Sequence, residues 1–78
     1  MAILTRESRL TRSRCALALT EEGFPIKAAT LATLASRGGG PEYEVFGKST
    51  IYTWGKALDW ARSRSKPRAS TSEADLHP

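Results

Sequence analysis

Four polar side chains at helical spacing, Lys27, Thr30, Thr33 and Arg37, are those in this 78-residue chain best suited to act together on a ligand. They belong to Lys-Ala-Ala-Thr-Leu-Ala-Thr-Leu-Ala-Ser-Arg, residues 27–37. In that stretch Leu31, Leu34 and Ala35, with Ala28 a turn earlier, recur at the spacing of a buried helical face. The polar four fall on the other side. Their chemistry is non-covalent: hydroxyls that donate and accept hydrogen bonds, beside cations that seek phosphates or guanine edges. Short side chains also permit the close approach that a DNA major groove demands. A plain surface helix of a small α+β domain would carry the same pattern, so the flanking segments have to discriminate.

A second polar cluster, Lys48-Ser49-Thr50, lies in Tyr-Glu-Val-Phe-Gly-Lys-Ser-Thr-Ile-Tyr-Thr, residues 43–53. The β-branched and aromatic content predicts a two-stranded hairpin around Gly47-Lys48. Two registers are open. A two-residue loop pairs Phe46 with Ser49, and a three-residue loop pairs Val45 with Ile51. Either leaves Lys48 at the tip with Ser49 and Thr50 beside it, able to reach a DNA backbone or minor groove. An ordinary solvated turn lysine is the competing reading.

Other chemistries find no support. The single histidine is His77, near the end of the chain, and the single cysteine, Cys15, sits among alanines and leucines. That excludes an internal disulfide, argues against a structural zinc site and suits a small buried side chain better than a nucleophile. No carboxylate pair or nucleophile–base pattern suggests catalysis. Gly38-Gly39-Gly40-Pro41 has no preceding strand and no following Lys-Ser/Thr helix start, so it reads as a flexible corner and not a phosphate loop. No catalytic residue, metal, cofactor or small-molecule substrate is expected.

The elements that position the two clusters follow in chain order. Ile3 and Leu4 either pack or form an arm for a partner. Leu10-Thr11 reads as an entry strand, with Thr11 the N-cap of a helix over about 12–22 whose Cys15, Ala16 and Leu19 face inward. Gly23 stops that helix, Phe24 folds back on Leu19, and Pro25 prevents continuation. The join to the second helix is then only Gly-Phe-Pro-Ile, which suits two helices crossing at a large angle. Lys27 falls at or beside the N-cap of that second helix, where Ser, Thr, Asp or Asn is favoured and a cation opposes the dipole. It is either placed for a ligand or simply points into water.

Thr53 is expected to cap a third helix over about 54–65, with Trp60 closing the core under the hairpin. Trp54 and Leu17 lie off the main inward faces and are candidate contacts for a second copy. From Lys66 onward the composition turns to Lys, Pro, Arg, Ser, Thr, Glu and Asp, so residues 66–78 read as a disordered tail after a single domain at 1–65.

Charge narrows the partner. All twelve Lys and Arg fall in residues 1–68 with only six of the eight acids, which makes a basic body suited to a polyanion. No stretch approaches the roughly 18 apolar residues of a membrane span, Met-Ala-Ile-Leu is too short for a signal peptide, and no long basic amphipathic helix is present. A cytoplasmic, nucleoid-associated protein without a membrane partner is the expectation.

The order of helix, tight turn, helix, Gly-Gly-Gly-Pro, hairpin and Trp-containing helix completes the pattern. It is carried by Leu10-Thr11-Arg12, Gly23-Phe24-Pro25, the run Ala29 to Pro41, Tyr43, Phe46-Gly47-Lys48, Ile51-Tyr52 and Trp60. This resembles the excisionase and AlpA-type DNA-binding proteins, small winged helix-turn-helix modules of the MerR-like superfamily, over roughly residues 10–64. The resemblance implies an α+β fold of about three helices with a two-stranded wing, the second helix in the major groove and Lys48 in the wing. It also implies Arg12 and Arg14 near the phosphate backbone. Double-stranded DNA, further copies on adjacent sites and a site-specific integrase are the implied partners. Such proteins either direct excision of a mobile element beside an attachment site, bending the DNA, or regulate transcription from a promoter. Two departures stand out: Lys27 replaces the usual serine cap, and Trp54-Gly55-Lys56-Ala57 replaces a polar stretch with Asp-Leu. A protein-binding adaptor that uses the same fold without DNA is the remaining alternative.

Overall fold

The structure, a computed structural model, describes residues 4–65. The expectations for Ile3, His77 and the tail at 66–78 lie outside the described residues. Six elements follow one another: β1 (Arg9–Thr11), α1 (Arg12–Glu21), α2 (Ala28–Arg37), β2 (Tyr43–Phe46), β3 (Ser49–Thr53) and α3 (Trp54–Arg64). The domain is a small α+β unit with three helices and a three-stranded antiparallel sheet in the order β1-β3-β2. Among the described residues no helix is long and apolar enough to cross a membrane.

The sheet has one strand more than the expected hairpin. β1 is the entry strand at Leu10-Thr11, and it pairs with the free edge of β3 in the register Arg9↔Thr53, Leu10↔Tyr52, Thr11↔Ile51. Leu10 and Tyr52 are both buried, so this pairing sets two core side chains directly opposite each other on one face.

α1 begins and ends as the local residues dictate. Thr11 is its N-cap, and the Thr11 hydroxyl accepts a long hydrogen bond from the Arg14 amide at 3.4 Å. At the other end Gly23 takes φ +103°, which only glycine adopts without strain. The Phe24 amide then donates to the Leu19 carbonyl at 2.8 Å and the Gly23 amide to the Thr20 carbonyl at 3.1 Å. Those two bonds are the paired closure of a Schellman end, with Phe24 packed back on the core. Thr20 fixes the connection further: its hydroxyl accepts from the Ile26 amide at 3.2 Å and reaches the Ala16 carbonyl at 2.9 Å.

The core is built from Leu10, Cys15, Ala16, Leu19, Leu31, Tyr52, Trp54, Ala57, Leu58 and Ala61. Burial pushes the Cys15 thiol up to about 11, so it stays protonated and unreactive at neutral pH. Two expectations about α3 are corrected. Trp54, at 5% exposure, closes the core in place of Trp60, and it is therefore no contact for a second copy. β3 runs straight into α3 with no linker, so the first residue of the helix is drawn under the sheet. Trp60 is half-buried, and its indole N–H donates to the Gly39 carbonyl at 3.0 Å. The glycine corner after α2 is thereby pinned to α3.

The second correction concerns the cap. Thr53 stands at the N-cap of α3 but its side chain makes no capping bond. The unpaired amides of the first turn are met by the backbone instead: Trp54 donates to the Ser8 carbonyl at 2.8 Å and Gly55 to the Arg6 carbonyl at 2.9 Å. This close approach explains the glycine, since a Cβ at position 55 would lie 3.0 Å from the Arg6 carbonyl oxygen. Arg6 is held over the helix by Asp59 at 2.7 Å, and that hydrogen bond keeps the Asp59 carboxyl below the usual carboxylate range.

Candidate nucleic-acid interface

α2 packs on α1 through Leu31, which is fully buried, with Ala28, Leu34 and Ala35 half-buried around it. Ala29, Thr30, Thr33, Ser36 and Arg37 are exposed. The helical step of about 100° puts Ala29, Thr33, Ser36 and Arg37 on one outward face, with Thr30 at its margin. Thr30 also borders an open apolar groove of about 370 Å³ between the α1–α2 connection and the end of α3. The Thr33 hydroxyl donates to the Ala29 carbonyl at 3.1 Å, which commits its proton to the helix and leaves the oxygen able to accept. Ala29 and Ser36 were not among the sequence candidates, although the same 100° step identifies them. They carry no charge to draw attention, and they keep the face shallow.

Lys27 is the N-cap of α2, in extended backbone with no side-chain capping bond and no acid in the first turn. The N-terminal end of the helix therefore presents its partial positive charge beside a lysine ammonium. That pairing is unfavourable alone and complementary to a phosphate. Arg37 lies in the last turn, where a cation complements the dipole, and Gly38 ends the helix by returning its amide to the Leu34 carbonyl at 2.8 Å.

The hairpin takes the two-residue register: Phe46 pairs with Ser49 and Val45 with Thr50. Gly47 has φ +62°, and among the described residues no non-glycine residue has positive φ, so Lys48 does not. Glycine alone at the first central position is the sign pattern of a II′ turn, whose twist matches that of the strands. Tyr52 is fully buried and Tyr43 packs near it, ring centroids 6.0 Å apart, which anchors the base of the hairpin. Beyond Tyr52 the tip runs out for about 10 Å. Lys48 and Ser49 at that tip are exposed and Thr50 is half-buried.

Arg12 and Arg14 occupy the first turn of α1. Arg14 is exposed, whereas Arg12 is half-buried, its Nε donating to the Tyr52 hydroxyl at 3.2 Å. That bond satisfies the otherwise buried phenol and restricts where the guanidinium can reach. Leu17 is 60% exposed on α1, as expected of a surface contact, and Trp54 is not. The nine candidate polar residues thus fall into three groups, on α2, at the hairpin tip and at the start of α1.

Three other cations of the described residues are held in ion pairs, whereas the candidate cations, like Arg62 and Arg64 on α3, are not. Among the described residues the salt bridges are Arg6–Asp59 at 2.7 Å, Arg9–Glu44 at 2.6 Å and Lys56–Glu42 at 3.0 Å. Arg12, Arg14, Lys27, Arg37 and Lys48 are absent from all three. Arg64 rests on the Trp60 ring at 5.2 Å, so it too is partly engaged by the protein itself. Among the described residues no group of His, Cys, Asp and Glu is arranged to hold a metal ion. Compared with known proteins, the chain matches no family model, no curated protein and no solved structure.

Proposed function

We propose that this chain is a small winged helix-turn-helix protein that binds double-stranded DNA, with α2 as the helix read into the major groove and the β2–β3 hairpin as its wing. The observation that carries the reading is the division of charge. The carboxylates that form salt bridges among the described residues engage Arg6, Arg9 and Lys56, leaving Arg12, Arg14, Lys27, Arg37 and Lys48, with Arg62 and Arg64 at the end of α3, outside any salt bridge. An unpaired surface cation gains most from a phosphate, because it displaces only water and counterions. The shallow outer face of α2 supports base-edge contact: Ala29 and the Thr33 methyl suit thymine methyl groups, Ser36 and Thr33 oxygens suit base amines, and Arg37 suits guanine.

A module this small covers on the order of 600–1,000 Å² of protein surface on DNA, which favours several copies on neighbouring sites. Exposed Leu17 is the side chain best suited to a contact between such copies. With the sequence resemblance, this supports an excision-directing factor that acts beside an attachment site with a site-specific integrase, in the nucleoid. A promoter-binding regulator uses the same surface. A gel-shift titration at two salt concentrations tests the proposal, comparing random DNA with DNA flanking this gene and any neighbouring integrase gene. Stepwise, cooperative shifts on attachment-site DNA are expected. A single shift at a promoter would favour the regulator, and no shift at low salt would leave the protein-binding adaptor.

A further inference from the structure

The tip of the hairpin carries an aromatic ring that the domain does not use. Phe46 is 77% exposed, the most exposed large apolar side chain described, and sits immediately before the Gly47-Lys48 turn. It points to the face of the sheet shared by Glu44, Ser49 and Ile51, away from the face that carries Tyr52 and Leu10 into the core. A phenylalanine this exposed buries little of its ring in the fold, and threonine would satisfy the strand as well.

We infer that Phe46 is a wedge that stacks against or enters a base step of duplex DNA while Lys48 holds the adjacent phosphate. This inference rests on the DNA-binding reading and adds an action that the polar contacts do not supply, local unstacking of the duplex. Charge selects the occupant. The ring stands beside an ammonium that has no acidic partner among the described residues, and the hairpin's acid Glu44 is held by Arg9 at 2.6 Å. A second copy of this basic chain would bring like charge to the tip, whereas a duplex offers phosphates for Lys48 and π-faces for the ring. An apolar side chain inserted at a step costs stacking and kinks the duplex, while the bend brings more protein surface against DNA. The backbone beyond Tyr52 extends the ring about 10 Å from the packed body, which lets it enter a groove without a clash from the helices.

The test uses a 20-base-pair duplex that the intact protein selects from random-sequence DNA, too short for an array. 2-Aminopurine replaces adenine at successive steps, and end-labels report bending. The native protein is expected to raise 2-aminopurine fluorescence at one step and shorten the end-to-end distance. Phe46→Ser should abolish both signals and weaken binding about tenfold, Phe46→Leu should keep them, and Lys48→Ala should weaken binding while keeping both at saturation. Phe46 lies outside the core, so circular dichroism of each variant should be native. A Phe46→Ser protein that binds, bends and unstacks this duplex like the native one overturns the wedge alone. Loss confined to cooperativity on longer DNA would assign the ring to a second copy and also overturn it. Failure of the native protein to bind any duplex at low salt would overturn both the wedge and the DNA-binding reading.

Discussion

Replacing Arg37 and Lys48 together with alanine is expected to lower duplex affinity about 100-fold at 0.1 M salt, from about 1–3 kcal/mol for an arginine on a base edge and about 1 kcal/mol for a lysine on a phosphate. The dependence of log affinity on log salt should flatten by about 1 to 2 as counterion release at the lost phosphate contacts disappears. The matched control is Arg9→Ala with Lys56→Ala, which removes the same charge from side chains already paired with Glu44 and Glu42. Exposed pairs of that kind contribute about 0–1 kcal/mol to stability, so the control should fold and bind within about threefold of the native protein. Fluorescence anisotropy across a salt series measures both quantities. Equal losses in the two double variants would mean that net charge, and not the α2 face and hairpin tip, drives binding.

The largest stability effect is expected at Trp54. Truncation of a buried tryptophan to alanine costs about 3–5 kcal/mol, and a single core in a domain this small supplies little more than that. Trp54→Ala should therefore lose its cooperative thermal transition and the near-ultraviolet signal of packed aromatics. Leu17→Ser should leave the melting curve unchanged within about 0.5 kcal/mol, because 60% of Leu17 is already in water. A Trp54→Ala protein that melts like the native one would contradict the placement of this ring in the core.

Those two residues also mark where sequence reasoning succeeds and where it fails. The exposure of Leu17 is read correctly because the phase of α1 is set locally, by Cys15, Ala16 and Leu19 and by the Gly23-Phe24 stop. The two tryptophans of α3 are equally plain in sequence, but which one closes the core depends on β3 feeding the helix directly from Thr53. That is a tertiary fact, and it gives Trp54 the core-closing place expected of Trp60, which stays half-buried on Gly39. The cap of α3 is non-local too: backbone carbonyls of Arg6 and Ser8 do what the Thr53 hydroxyl was expected to do. Backbone carries no side-chain signal, and the one trace in the sequence is the glycine at 55 that makes room for it.

The candidate site divides the same way. Lys27, Thr30, Thr33 and Arg37 follow from helical periodicity, and Lys48 follows from a Gly-Lys dipeptide between two β-rich runs. The two-residue loop could not be chosen from composition, because the alternative register buries a more apolar pair. A glycine at φ +62° in the first turn position decides it. The bond from Arg12 to Tyr52, and the division of cations into paired and unpaired, require the chain to be folded.

Amide chemical shifts of the nitrogen-15-labelled protein, followed as duplex DNA is added at 50 mM salt, test the central claim most directly. Perturbations should concentrate on residues 27–37, on 47–50 and on the first turn of α1, and leave Asp59 and Lys56 on α3 unmoved. Shifts centred on α3 with α2 and the hairpin tip unchanged, or no shifts at all, would contradict the assignment of this surface to DNA.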